Sequence, residues 1–254
     1  MPAPAVQPLE HALLARAISA CSFDLIAQPI VALQGPNLRR EYEVLVELRL
    51  PDGALLPTSD AVQQAEGQGL MPALDLAIVA RVLGHAADLA AHPEVDLSIN
   101  LSSVTVSGAG GDGVEAMLRG SGVPPQRLQF ELTESAALSA PDRACDLLAR
   151  LRRMGCRIAL DDFGTGRSNF WRARNLPVDC LKLDGSFMRD CLQPGSHDQL
   201  IVRQVRDYAA KAGMTVVAEQ VDRPDLVPAL AAEGIDKAQG FALGQRMPLA
   251  AVFG

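Results

Sequence analysis

Hydrophobic residues recur along this chain in two alternating rhythms. Short Val/Ile/Leu-rich runs read as strands, and longer stretches with apolar residues every three or four positions read as amphipathic helices. A helix is predicted over about residues 8–20, with Leu9, Leu13, Ala17 and Ile18 on one stripe. The strand FDLIAQPIVAL follows, then a turn at Gly35-Pro36-Asn37 and the strand EYEVLVEL. So close a pair is expected to be antiparallel, because parallel neighbours need a longer crossover. Pro51-Asp52-Gly53 marks the next turn. Helices are predicted over about 58–68 and 71–91 and a strand over 96–102; Gly108-Ala109-Gly110-Gly111 reads as a loose loop before a short helix ending near Arg119. Strand 128–134, helix 141–154, strand 157–162, a loop with a short helical turn, and strand 180–184 come next. Helix 198–212, strand 215–219, helix 224–233 and strand 237–242 complete the order. Strands alternating with helices at this spacing form βαβ units around a parallel sheet.

Seven of the strand-like runs break their own apolar rule at or near the C-terminal end. The intruders are Glu43, Asn100, Glu131, the pair Asp161-Asp162, Lys182, Glu219 and Gln239. A strand covered on both faces should be apolar throughout, and an acid there costs several kcal/mol unless it is paired or bound to a cation. Recurrence at one end of successive strands points to a single polar site built by the whole fold. The fold expected is an α/β, TIM-like (β/α)8 barrel, in which the C-terminal strand ends converge on one face that carries the active site.

Composition narrows this picture. The 254 residues suit one barrel, and no repeat, linker or composition break divides them, so a single domain over 1–254 is expected, with residues 1–22 as a helical lead-in. A net charge of −7 argues against a nucleic-acid polymer or an anionic membrane as partner. No apolar run is long enough to span a bilayer, and the N-terminus does not have the build of a signal peptide. Five cysteines without C-x-x-C spacing read as reduced thiols of a cytoplasmic protein. His11, His85, His92 and His197 lie outside the polar strand ends, so the expected chemistry rests on carboxylates and metal. Carboxylates with an amide oxygen suit Mg2+ or Mn2+ better than zinc. Two such ions would clamp a phosphate and acidify a bridging water.

Single motifs allow more than one reading. Asp161-Asp162 before Phe163-Gly164-Thr165-Gly166 is either a metal-binding strand end, broken by the glycines so that adjacent acids can share a side, or a solvated turn. A glycine-rich phosphate loop fits less well, since the third glycine is missing. Glu134 is either part of the site or a first-turn helix acid. Asn100 can cap the following turn, Lys182 can pair with Asp184, and Gln28 before Pro29 can belong to an edge strand. Glu219 has no cation beside it in sequence.

Taken in order, the motifs are more specific than any one of them. Gln28-Pro29-Ile30, Glu43-Val44-Leu45, Asn100-Leu101-Ser102, Glu131-Leu132-Thr133-Glu134, Asp161 to Gly166, Leu176-Pro177-Val178-Asp179, Lys182-Leu183-Asp184, Ala218 to Asp222 and Gln239-Gly240-Phe241 closely resemble the EAL-domain family of cyclic di-GMP phosphodiesterases. The resemblance covers about residues 23–250, with Glu43-Val44-Leu45 in place of the name-giving Glu-Ala-Leu. It implies a barrel whose first strand is antiparallel. It also implies two Mg2+ or Mn2+ ions, one held by Glu43, Asn100, Glu131 and Asp161, the other by Asp161, Asp162 and Glu219. Lys182 would position the attacking water, with Glu43 and Glu219 completing the catalytic set and Glu219 as general base. Glu134 would anchor the loop from Phe163 to about Phe170, with Asp222 and Gln239 in support. Gln28, Leu45, Asp75 and Gln239 would seat the dinucleotide, which is opened to linear pGpG. The family also makes a homodimer plausible.

The chain departs from that pattern where substrate would bind. The family motif continues to an arginine that contacts phosphate, whereas this chain reads Val46-Glu47. Losing a charge-assisted contact of about 1.5–3 kcal/mol weakens affinity by roughly tenfold or more. Arg167, with Arg172 and Arg174 nearby, is one source of replacement charge; a solvated loop is the other reading of these arginines. Asp222 stands where a glutamate is usual, and Gln245-Arg246 replaces a basic residue and a proline. Every metal-ligand position is kept, so the expectation is a phosphodiesterase with weakened substrate affinity. The alternative is an impaired domain acting as a cyclic di-GMP receptor or interaction module.

Overall fold

The period-2 pattern decides which side of each strand faces inward, and it places all the polar intruders but Asp162 on that side. The computed structural model describes residues 9–35, 39–50, 53–133, 141–165 and 176–254. Pro36, Asn37, Pro51, Asp52, Glu134, Gly166, Phe170, Arg167, Arg172 and Arg174 lie outside the described residues.

Strands β1 (Phe23–Ala32), β2 (Arg40–Arg49), β4 (Val95–Asn100), β5 (Leu128–Thr133), β6 (Arg157–Phe163), β7 (Cys180–Leu183), β8 (Thr215–Ala218) and β9 (Lys237–Gln239) close into a barrel. All neighbours are parallel except at β1, which runs antiparallel to both β2 and β9. The short β3 (Leu55–Leu56) and β10 (Met247–Pro248) flank it. Strand β1 is therefore not an edge strand. Proline is tolerated within it because Pro29 falls where β1 changes partner, from β10 at Ile26 and Ala27 to β9 at Ile30 to Ala32. No outward ladder bond is asked of it there.

Helices α1 (His11–Ser19), α2 (Thr58–Gly67), α3 (Met71–Leu83), α4 (Ala86–Ala91), α5 (Ser103–Ser107), α6 (Gly110–Gly120), α7 (Pro141–Met154), α8 (His197–Ala212) and α9 (Leu226–Ala232) make up the described helical complement. The apolar layer between them and the strands is aliphatic, with Leu97, Ile99, Leu128, Phe130, Leu181 and Val216 wholly enclosed. Three sequence expectations need correction. The strand expected over 237–242 ends at Gln239, because the chain turns at Gly240, whose carbonyl accepts from Leu243 N and Gly244 N. The helix expected over 71–91 is two helices, ending first at Gly84 and restarting where the His85 ring meets the Asp88 carboxylate at 2.8 Å. Gly110 and Gly111 are not loop residues but open α6. A side chain at Gly111 would meet Leu147 Cδ2 at 2.6 Å, so the missing Cβ serves close packing against α7.

Inside the barrel, side chains stack in layers. At the floor Asp96, 1% exposed, receives Arg39, Arg127 and Arg157. Above it an apolar patch of Ile30, Ala159, Cys180 and Val217 sits beside the pair Lys237–Glu41 and the bond from Gln129 to Ser98. The acids of the C-terminal strand ends form the next layer up.

Candidate active site

Lys182 is the centre of that upper layer. It is completely buried on β7, and its Nζ lies 2.5 Å from Glu131 Oε2, 2.7 Å from Glu219 Oε1, 3.3 Å from Asp161 Oδ1 and 3.6 Å from Glu43 Oε2. Four strands thus aim carboxylates at one ammonium. Asp184, the sequence neighbour, does not pair with it; its carboxylate instead accepts from Ser186 N. Glu219, without a cation in sequence, has one across the barrel.

Two amides hold Glu43 from either side: Asn100 Nδ2 donates to Oε1 at 2.7 Å and Gln239 Nε2 to Oε2 at 2.6 Å. Asn100 therefore joins this cluster, and Ser102 takes the capping role by accepting from Thr105 N. Glu131 is propped by Gln129, whose Nε2 donates to Oε1 at 3.1 Å. Sequence reading passed over Gln129, although it sits two positions before Glu131 and so shares its inward side.

Asp161 and Asp162 come to the same side without the strand ending. Strand β6 runs on to Phe163, but its register with β7 shifts between Leu160 and Phe163, and Asp162 adopts a φ of 56°. A bulge of this kind re-aims a side chain that simple alternation would send outward. Gly164 follows at φ 107°, where a side chain would strike the Phe187 ring at 2.6 Å. Carboxylate oxygens of Asp161, Asp162 and Glu219 can all lie within 4.8 Å of one another.

One ammonium cannot neutralise this many acids, and the acidities divide accordingly. Burial pushes the Glu131 carboxyl up to about 7 against the pull of Lys182, and pushes Glu219 well above the usual range. Burial opposes ionisation of Glu43 too, yet Lys182 and the two amides outweigh it and hold its carboxyl below the ordinary value. Asp162 is raised by burial and by Asp161 and Asp184. Burial disfavours a charged Lys182, but the surrounding carboxylates win and raise it well above its ordinary value. Two buried acceptors, Asp161 Oδ1 and Gln239 Oε1, make no hydrogen bond among the described residues, where the former has only the 3.3 Å ion-pair contact. Excess carboxylate charge with orphaned oxygens is the chemistry of a hard-cation site, so this donor set fits Mg2+ or Mn2+.

A cavity of about 310 Å3 opens beside the acids, lined by Glu43, Leu45, Leu74, Asp75, Asn100 and Thr133 among others. Asp75, 3% exposed on α3, is fixed at one oxygen by Ser102 N at 2.9 Å and Thr105 Oγ1 at 2.6 Å, and burial raises its carboxyl. Gln28 pairs in register with Glu43 and accepts from Arg246 Nε at 3.1 Å. Asp222 accepts from Phe241 N at 2.9 Å, tying the chain after β8 to the chain after β9. Glu134 lies outside the described residues.

The EAL domain model matches residues 11–246. The chain belongs to the EAL domain family. Cyclic di-GMP phosphodiesterase PdeB of Shewanella oneidensis is 33% identical to this EAL domain over 241 residues, which are 93% of the chain but 28% of PdeB. The chain thus spans less than a third of that relative. The Pseudomonas aeruginosa FimX EAL domain bound to c-di-GMP superposes with a TM-score of 0.83 at 26% identity, covering 92% of this chain and 95% of that one. The phosphodiesterase PaMucR in its c-di-GMP complex gives 0.80 at 28% identity, covering 91% and 99%. The described EAL fold contains no helix long and apolar enough to cross a membrane.

Proposed function

We propose that this EAL domain hydrolyses cyclic di-GMP to linear pGpG with the help of two Mg2+ or Mn2+ ions. The observation that carries the reading is the gathering of Glu43, Asn100, Glu131, Asp161, Asp162, Lys182 and Glu219 at one barrel mouth, in a family whose relatives include a named cyclic di-GMP phosphodiesterase. Glu43, Asn100, Glu131 and Asp161 would hold one ion, and Asp161, Asp162 and Glu219 the other. When bound, the pair would supply Lewis-acid charge to the phosphate and acidify a water.

The chain's own groups do the rest. Lys182 stays protonated and offsets charge gathering on the phosphate oxygens. Glu219, 2.7 Å from Lys182 Nζ, would take a proton from the attacking water as that water's oxygen bonds to phosphorus, while the bridging P–O bond breaks and the departing ribose oxygen takes up a proton from solvent. The cavity lined by Leu45 and Asp75 would take a purine, with Asp75 accepting from its edge. Gln28, in register with Glu43, and Gln239, bonded to Glu43, would meet the dinucleotide beside that cavity. Gln239 keeps Glu43 in place and Asp222 keeps the Phe241 backbone beside it.

A second reading has one observation in its favour. Glu47 stands in register with Asp24 across β1 and β2, so two acids face each other on the rim where the family pattern carries a phosphate-binding arginine. A domain that binds without turnover would tolerate this. Incubating the protein with cyclic di-GMP and Mg2+ or Mn2+, with Glu43→Ala as control, separates the two. Metal-dependent pGpG that vanishes in the control supports hydrolysis, binding without product supports a receptor, and neither outcome would sink both.

A further inference from the structure

One cation at the mouth has no carboxylate partner among the described residues. Arg246 is exposed, and its Nε donates to Gln28 Oε1 at 3.1 Å. Its guanidinium lies over the Phe241 ring, 5.7 Å from the centroid. Its two terminal nitrogens make no hydrogen bond among the described residues, which leaves the Nη1–Nη2 edge of the guanidinium fork available.

The segment that presents it is fixed rather than loose. Leu243 N and Gly244 N both donate to Gly240 O, closing the turn after β9. Gly244 packs so closely on Pro29 that an added Cβ would lie 2.5 Å from Pro29 Cγ. Strand β10 then pairs Met247 with Ala27, which sets Arg246 beside Gln28 and thus beside the strand position opposite Glu43. The Phe241 ring holds the guanidinium plane by cation–π attraction, and its own backbone is held by Asp222. A guanidinium with one nitrogen anchored and two free is pre-organised for bidentate contact with a phosphate.

The other rim is unsuited to that task. Glu47 and Asp24 oppose each other there, and Arg49 is spent on Asp24. Positive charge for a ligand phosphate must therefore come from elsewhere on the mouth. We propose that Arg246, on its Gln28–Phe241 platform, is the phosphate-contacting arginine of this chain and sets its affinity for the cyclic dinucleotide. The proposal rests on the cyclic di-GMP reading above and adds a residue that reading does not use. It also explains how Glu47 is compatible with binding: the phosphate contact has moved from β2 to the segment before β10.

The test is equilibrium binding of a cleavage-resistant phosphorothioate cyclic di-GMP to the metal-loaded protein over a range of salt concentrations. Arg246→Ala should raise Kd by about tenfold to a hundredfold and flatten the salt dependence, because an ionic contact to phosphate is lost. Arg246→Lys should fall between, keeping the charge but not the fork. Glu47→Arg placed in the Arg246→Ala protein should recover most of the loss. Melting temperatures should stay together, since Arg246 is exposed. A Kd within twofold of the parent for Arg246→Ala overturns the proposal. So does a weakened Kd with unchanged salt dependence, which would reduce Arg246 to a prop for Gln28. If the unaltered protein fails to bind at all, the cyclic di-GMP reading falls and this one with it.

Discussion

Replacing Lys182 with methionine tests the electrostatics of the barrel mouth directly. The ammonium is fully enclosed and lies within 3.6 Å of four carboxylates. Methionine fills the volume but leaves those acids without their shared counter-charge. Breaking a buried pair by removing one partner costs roughly 3–5 kcal/mol, which for a domain of this size lowers Tm by roughly 6–20 °C. The loss must depend on pH, because the acids can shed charge by protonating. Glu131 has its carboxyl raised from 4.5 to about 7 even with Lys182 present. The native state therefore binds more protons than the unfolded chain between those values, and stability falls as pH rises through that window. Without the lysine the same acids hold protons more tightly still, so Lys182→Met should be close to the parent at pH 5 and far below it at pH 8. Thermal melts in chelator at both pH values, repeated with Mn2+, measure this. Divalent cation should recover much of the loss at pH 8, since it replaces the missing positive charge. A Lys182→Met protein that melts within two or three degrees of the parent at pH 8, or loses as much at pH 5, would refute the reasoning.

Three further outcomes are expected. Binding of Mg2+ or Mn2+ near pH 6 should release protons, because Glu131 and Glu219 must ionise to ligate, and the share from Glu131 should shrink as pH passes about 7; calorimetry in buffers of different ionisation enthalpy counts it. Gly240→Ala should destabilise the fold by several kcal/mol, visible as a lower urea midpoint, since an added Cβ would collide with the Val221 backbone, which is held by Val221 N donating to Gln239 O. Burial pushes the Cys156 and Cys180 thiols up to about 12, so native protein should leave both unmodified by a thiol reagent at pH 8 while half-buried Cys21 reacts; mass mapping decides.

Much of this architecture was legible one strand at a time. A buried apolar run that admits Glu131 or Lys182 announces a polar site, because burying an uncompensated charge is too costly to be incidental. Alternation within a strand then says which neighbours share the inward side, and Gln129 was readable by that rule. What local pattern could not supply were the partners. Asn100 bonds to Glu43 across 57 positions, and Gln239 reaches the same carboxylate across 196. Glu219 looked uncompensated because its cation comes from a different strand. The pairing of Asp161 with Asp162 on one side needed the register shift with β7 and a left-handed backbone at Asp162, which no periodicity contains. Gln245-Arg246 stood out only as a departure from the family pattern; closure of β10 onto β1 set Arg246 beside Gln28.

The sequence alone determined the alternation of barrel strands with helices, most of the inward positions and the acidic character of the mouth, because each follows from side-chain burial along a short stretch of chain. Tertiary structure decided which acids surround the buried lysine, which amide holds which carboxylate and where Arg246 lies. Those depend on barrel closure, which sets residues far apart in the chain a few ångströms from one another.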